Sequence, residues 1–177
     1  MNISELYNRR QSCRNFSGKQ VEKEKLERIM DLALLSPSAC NAQPYFVTVA
    51  IGEKAKKLAK TTQGLGMNKF TDKATAMIVI NEERASALAR MGAKFRDNVY
   101  TPMDIGILTG HIVLAAEEEG LATCIIGWFN EDDVREICDI DKNKRVKLLI
   151  AVGYKSEDDK IREKKRKDKK EVLKFVE

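Results

Sequence analysis

Apolar positions along this 177-residue chain recur with two periods, and the switches between them mark its elements. Leu26, Ile29, Met30 and Ala33 fall at i, i+3, i+4 and i+7, one stripe of a helix that stops before Pro37. Ala55, Leu58, Ala59 and Thr62 place another helix over 53–63, and 84–95 reads as a further one. Residues 45–51 are β-branched and aromatic and read as a strand, as do 74–80, 121–128 and 146–154. Residues 2–9 read as a short helix opened by the capping pair Asn2 and Glu5. Thr101, Pro102 and Asp104 spell a helix start: a hydroxyl cap, a proline in the first turn, an acid three residues after the cap. That helix runs to Gly120 and is apolar around most of its middle, which places it in the core. Asn130 caps a short helix carrying Val134, Ile137 and Cys138, and a charged stretch then leads to an apolar ending over 172–176. No repeat or linker interrupts the pattern, so residues 1–177 form a single domain, a layered α/β unit whose strand directions the pattern leaves open.

Composition narrows the class. A hydrophobic share of 43% and a charged share of 33% describe a globular chain. No uncharged apolar run reaches the roughly 18 residues that span a bilayer, and no cationic region followed by an apolar run opens the chain. A cytoplasmic protein without a membrane partner is expected. Cys13, Cys40, Cys124 and Cys138 show no Cys-x-x-Cys spacing and have no histidine near them in sequence, so free thiols are expected and no metal site. The net charge of +5 is unevenly placed: nine Lys/Arg and five Asp/Glu fall between Lys155 and Lys170, leaving +1 elsewhere. A nearly neutral body argues against a nucleic-acid-binding face.

Two segments carry candidate chemistry. Arg10, Ser12 and Arg14 are spaced by two, so an extended backbone points all three to one side. Two guanidiniums and a hydroxyl suit a phosphate; spacing alone equally describes a solvated basic loop. The stretch 37–44 holds Ser38, Asn41 and Gln43 between two prolines, a stiff loop able to read the edge of a heterocycle or merely to join helix to strand. Gly64-Leu-Gly66 imitates the start of a dinucleotide fingerprint, but Lys69 stands at the third glycine and a helix precedes it, so no Rossmann site is expected.

Arg10-Gln-Ser-Cys-Arg-Asn-Phe16 followed by Pro37-Ser-Ala-Cys-Asn-Ala-Gln-Pro44 resembles the FMN-dependent nitroreductase family in content, order and separation. Asp104-Ile-Gly with Leu114-Ala-Ala is similar to its central helix, 120–129 to its flavin-facing strand and turn, 151–154 to its last core strand, and Lys164-Lys-Arg-Lys167 to its closing basic motif. The resemblance implies an α+β fold: a mixed, largely antiparallel sheet flanked by helices, a long buried central helix, and a C-terminal segment exchanged in a homodimer. It implies FMN as cofactor, held through its phosphate by Arg10 and Ser12 and, from the C-terminal side, by Lys165, Arg166 and Lys167. Arg14 would lie beside the pyrimidine ring, and Lys69, helped by Asn68, near N1 and O2. Backbone N–H groups around Ile126 and Gly127 would approach O4 and N5, and Ser38, Asn41 and Gln43 would reach the ring, commonly from the other subunit.

The implied activity is a ping-pong oxidoreductase taking hydride from NADH or NADPH through flavin N5 to nitroaromatics or quinones, with no obligatory catalytic side chain. A flavin-binding redox module or sensor without rapid turnover, and a basic-tail interaction protein, are the alternatives. His111 is expected as a packed or hydrogen-bonded core residue; Trp128 either borders the flavin or packs.

Overall fold

The computed structural model describes residues 1–96 and 99–177. The first helix, α1 (Ile3–Arg9), is opened by the capping box expected of Asn2 and Glu5. Next come α2 (Lys23–Ala33), β1 (Tyr45–Ile51), α3 (Gly52–Thr61), β2 (Ala76–Glu82), α4 (Ala87–Arg96) and α5 (Thr101–Glu118). The chain ends through β3 (Ala122–Ile126), α6 (Glu131–Cys138), β4 (Val146–Gly153) and a four-residue helix, α7 (Lys169–Val172). Short 3-10 turns at Ala39–Asn41, Gly64–Gly66 and Lys69–Lys73 interrupt the connections.

The strands form one sheet in the order β1-β2-β4-β3, every neighbouring pair antiparallel. Side-chain alternation divides the core in two. Ile78, Ile80, Ile150 and Val152 pack toward α2 and α5 with Leu26, Ile29, Leu108 and Ile112. Met77, Val79, Leu149 and Ala151 pack on the opposite face with Leu58 of α3 and Val134 of α6. The inner strands β2 and β4 are covered on both faces, so their sequences read as near-continuous apolar runs. Full burial of each large aliphatic side chain there contributes about 1.5–3 kcal/mol.

Three sequence expectations are corrected. Thr101 is the first helical residue of α5 and buried, and Tyr100 occupies the cap position without a side-chain bond. Asp104, in the same first turn, is buried. The burial of α5 is one-sided: Ile105, Leu108, Ile112 and Ala116 are covered, whereas Met103 and Ile107 are 54% and 39% exposed. Added Cβ atoms at Gly106 and Gly110 would meet nothing, so among the described residues none covers the helix at these two positions. His111 lies on that outer side rather than in the core, its Nδ1 3.0 Å from Ile107 O.

The two sheet edges differ. Along β3 the outer edge is occupied by the segment before α2: Ser12 bridges Thr123 in parallel, and the Cys13 N–H donates to Thr123 O at 2.8 Å. Among the described residues, no strand pairs with the outer edge of β1. Its Phe46, Val49 and Ile51 are exposed.

Candidate functional site

Around Ser12 and Cys13 the chain runs beside β3 and pairs with Thr123, as an extended segment does. Cys13 and Phe16 point inward and are buried, so Ser12 and Arg14, on either side of Cys13, face the other way. Burial is the chief cause that pushes the Cys13 thiol up to about 11, with Asp159 adding to it, which marks Cys13 as packing rather than a nucleophile.

The chain returns along this segment after β4. The Ser156 N–H donates to Asn15 O at 2.9 Å, and Asn15 Nδ2 donates to Asp158 Oδ1 at 2.9 Å. The Arg162 N–H then bonds Gln11 Oε1 at 3.0 Å, and its Nη2 donates to Ser12 O at 2.5 Å. Lys164 Nζ donates to Arg10 O. Buried Asp159 anchors the crossing, accepting Arg162 Nη1 at 3.2 Å. Two stretches about 150 residues apart in sequence are thus laced together, and Arg10, Ser12, Arg162 and Lys164 converge.

The resemblance does not include Arg162; it includes Lys164 in the closing basic motif but gives the phosphate to Lys165, Arg166 and Lys167. Those three are exposed; Arg166 Nη1 bonds Lys165 O at 2.8 Å. Among the described residues, no hydrogen bond or ion pair joins Lys165 or Lys167 to residues 10–14. The available signal was the two-residue spacing of Arg162 and Lys164, the same device as in Arg10, Ser12 and Arg14, hidden inside the charge run.

The cluster is electrostatically unbalanced. Burial first, then the charges of Arg10, Arg166 and Arg162, hold the Lys164 ammonium below the usual lysine range against the opposing pull of Glu117. Among the described residues, the side chains of Arg10, Ser12 and Arg14 have no hydrogen-bond or ion-pair partner. A cleft of about 500 Å³ lined by Arg10, Tyr7, Gly106, Val113, Ile125 and Leu148 opens beside them. A largely apolar cleft with Arg10 in its lining suits a flat ring system carrying an anion.

A second group gathers at the C-terminal end of β3. Gly64 lies against Trp128, where an added Cβ would come within 3.6 Å of Trp128 Nε1, and the Asn130 N–H donates to Thr61 O at 2.8 Å. This places the turn Gly64–Gly66, which leads to Lys69, against the segment that follows Ile126 and Gly127. Ile126 is buried, whereas Gly127 is exposed and a Cβ there would meet nothing, leaving its backbone open to approach. Asn68 turns inward, its Nδ2 donating to Thr62 O at 3.2 Å. Trp128 is 51% exposed.

The third group stands apart. Residues 38–43 sit at the start of β1, across the sheet from β3. Ser38 Oγ accepts the Gln43 N–H at 2.9 Å, and Gln43 Nε2 donates to Asn41 Oδ1 at 3.1 Å, so the three residues singled out here interlock. Among the described residues, six non-glycine positions have positive φ, and five of them lie in these two loops: Cys40, Asn41, Gln43, Leu65 and Asn68. Left-handed backbone costs about 1–2 kcal/mol at such residues and concentrates where a loop must hold a set shape for a ligand.

Comparison with known proteins gives this α+β arrangement its class. Residues 7–154 match the Nitroreductase family. A Streptococcus pyogenes protein, provisionally named an NAD(P)H nitroreductase, is 28% identical over 89% of this chain and 92% of its own. The oxygen-insensitive NADPH nitroreductase of Helicobacter pylori (strain 26695) is 28% identical over 84% of this chain and 85% of its own. Among solved structures, an FMN-dependent nitroreductase from Clostridium difficile R20291 superposes with a TM-score of 0.76, at 26% identity, covering 98% of this chain and 99% of the other. This chain belongs to the nitroreductase family, and it is an oxidoreductase. No helix among the described residues is long and apolar enough to cross a membrane.

Proposed function

We propose that the chain binds FMN and passes electrons from NADH or NADPH to small oxidised molecules such as nitroaromatics or quinones. The observation that carries this reading is the convergence of Arg10, Ser12, Arg162 and Lys164 from opposite ends of the chain, with the Arg10 side chain, unpaired among the described residues, lining a largely apolar cleft. A phosphate of about two negative charges would offset the charges of Arg10, Arg166 and Arg162, which add to burial in lowering the Lys164 pKa. The donor set therefore fits FMN. Arg10, Ser12, Arg162 and Lys164 would hold its phosphate, with Lys165, Arg166 and Lys167 adding to the local field. Arg14 and Lys69 would place positive charge near the pyrimidine ring, and the backbone at Ile126 and Gly127 would meet the ring edge, with Asn68 bracing that turn. Ser38, Asn41 and Gln43 would read the ring from a second copy of the chain.

FMN, when bound, supplies the two-electron chemistry; the protein's part is to bind, orient and exclude water. No side chain is assigned as nucleophile or general base. A ping-pong order, with nicotinamide and acceptor using one place in turn, goes with the family reading. We further propose a homodimer in the cytoplasm. The uncovered side of α5, with Gly106 and Gly110 open to close approach, and the exposed Leu173, Phe175 and Val176 are the surfaces it would bury. That apolar ending would add to the outer edge of β1 on the partner.

The test compares FMN with riboflavin, which lacks the phosphate. Lys164→Ala and Arg10→Ala weaken FMN about tenfold, one charge-assisted contact each, and leave riboflavin unchanged. Stopped-flow reduction of the bound flavin by NADH and by NADPH then measures the donor preference. Protein that takes up no FMN on reconstitution ends the proposal.

A further inference from the structure

Asp104 is 3% exposed, yet it is a carboxylate at the first turn of α5. Its Oδ1 accepts the N–H of Ala39 at 2.9 Å, across 65 residues of sequence. Its Oδ2 is buried and, among the described residues, has no hydrogen-bond partner. A buried acid with one oxygen unsatisfied is a cost to folding that an apolar residue would avoid. The N-terminal N–H groups of an 18-residue helix offset part of that cost. The rest must be balanced by what Oδ1 holds.

What it holds is, among the described residues, the loop with the most positive-φ non-glycine positions. Cys40, Asn41 and Gln43 all have positive φ, at 52°, 49° and 44°. The bonds that shape this loop are internal to it: Ala42 N–H to Ala39 O at 3.0 Å, Asn41 N–H to Ser38 O at 3.0 Å, and the interlock of Ser38, Asn41 and Gln43. Bonds of that kind set the loop's internal form and leave its place on the body free. At the far end, Pro44 O accepts the Glu83 N–H at 3.0 Å. Among the described residues, the hydrogen bonds that leave residues 38–43 are Tyr45 N–H to Gln43 O at 2.8 Å, at the junction with β1, and the one between Ala39 and Asp104, which alone reaches an element distant in sequence.

We propose that Asp104 is a positioning residue for the reaction, docking the 38–43 loop on the N-terminus of α5 so that Asn41 and Gln43 meet the flavin in a fixed place. This rests on the FMN reading above. It also accounts for Asp104 lying inward at a point where simple helix capping would leave the acid at the surface.

Two substitutions remove the same bond from opposite sides. Asp104→Ala deletes the acceptor. Ala39→Pro deletes the donor; Ser38 before it is already extended, at φ −143° and ψ 157°, as a residue preceding proline must be. Asp104→Asn keeps an oxygen acceptor in place. FMN affinity is read from quenching of flavin fluorescence on the full chain, and hydrogen exchange is followed in the 38–43 loop and in strands β2 and β4. Asp104→Ala and Ala39→Pro are expected to weaken FMN at least tenfold each, the double variant no more than either single. Loop exchange is expected to accelerate while β2 and β4 stay protected, and Asp104→Asn to restore both readouts to within about threefold of the parent. If Asp104→Ala does not fold, Ala39→Pro alone decides. Parent-like affinity and loop protection in Ala39→Pro overturns the proposal, as does an Asp104→Asn variant as impaired as Asp104→Ala. A parent protein that binds no FMN sinks the functional reading instead, while loop exchange still reports whether Asp104 holds the loop.

Discussion

Gly153, the last residue of β4, sits where the segment carrying Arg10, Ser12 and Arg14 crosses the sheet, and Gly153→Ala tests how tightly that crossing is packed. A Cβ at this position would lie 3.0 Å from Phe16 Cδ1 and 3.6 Å from both Phe16 Cε1 and Ala74 Cα. Carbon atoms are comfortable at about 3.5–4.0 Å, so the ring must retreat by about 0.5 Å. Phe16 is 1% exposed and stacks on Phe70 with centroids 6.4 Å apart, and a close-packed interior resists that retreat. Overpacking of this kind costs about 1–3 kcal/mol. Replacing glycine returns roughly 0.5–1 kcal/mol by reducing the freedom of the unfolded chain. At the middle of both ranges the net loss is about 1 kcal/mol, a fall in Tm of about 2–4 °C for a chain of this size. Calorimetry on the parent, Gly153→Ala, Phe16→Leu and the double variant measures it. The smaller, more flexible leucine side chain should relieve the contact, so the double variant loses less than the sum of the singles. A Gly153→Ala protein as stable as the parent, or strict additivity in the double, refutes the packing argument.

Glu131 Oε1 receives Arg135 Nη2 at 2.5 Å, Arg145 Nε at 3.0 Å and the Val146 N–H at 2.8 Å. Burial is the largest single influence and raises its pKa, but the Val146 N–H, Arg145 and Arg135 together outweigh it and hold the carboxyl below its usual range. A depressed folded pKa means stability present at neutral pH and lost as pH falls through that value. Glu131→Gln should therefore weaken urea resistance by about 1–2 kcal/mol at pH 7 and much less at pH 3; equal losses at the two pH values would count against it. Cys40 is the exposed thiol, while burial raises Cys124 and Cys138 and takes Cys13 to about 11. An aromatic disulfide reagent at pH 8 should show one fast phase that Cys40→Ser removes; a fast phase surviving in that variant would contradict the assignment. Leu108→Ala, at a fully buried site between α5 and the sheet, should cost about 2–5 kcal/mol by urea unfolding without altering FMN affinity beyond that loss of stability.

Much of this architecture was legible because it is written in local periodicity. The stripe of Leu26, Ile29 and Ala33 and the apolar runs of β2 and β4 locate their elements to within a few residues. The capping box of Asn2 and Glu5 is chemistry between residues three apart, which sequence displays directly. The site was legible in part: spacing by two in Arg10, Ser12 and Arg14 matched an extended segment that β3 then pairs. Where local chemistry had two solutions, the reading failed. Thr101 could cap α5 or lie in its first turn, and the packing of Asp104 against Ala39 belongs to the second.

The sequence by itself determined which stretches avoid water, where backbone must bend, and which residue types carry charge enough to hold a phosphate. Only the tertiary structure decided which basic residues meet Arg10 and Ser12, because the partner of a cation about 150 residues away is set by how β4 delivers the chain, not by composition. The same holds for α5. Its apolar circumference states that water is unfavourable on every side, but periodicity carries no information about whether the cover comes from the same chain. Burial is a property of neighbours in space, and those are fixed only once the sheet has chosen its order.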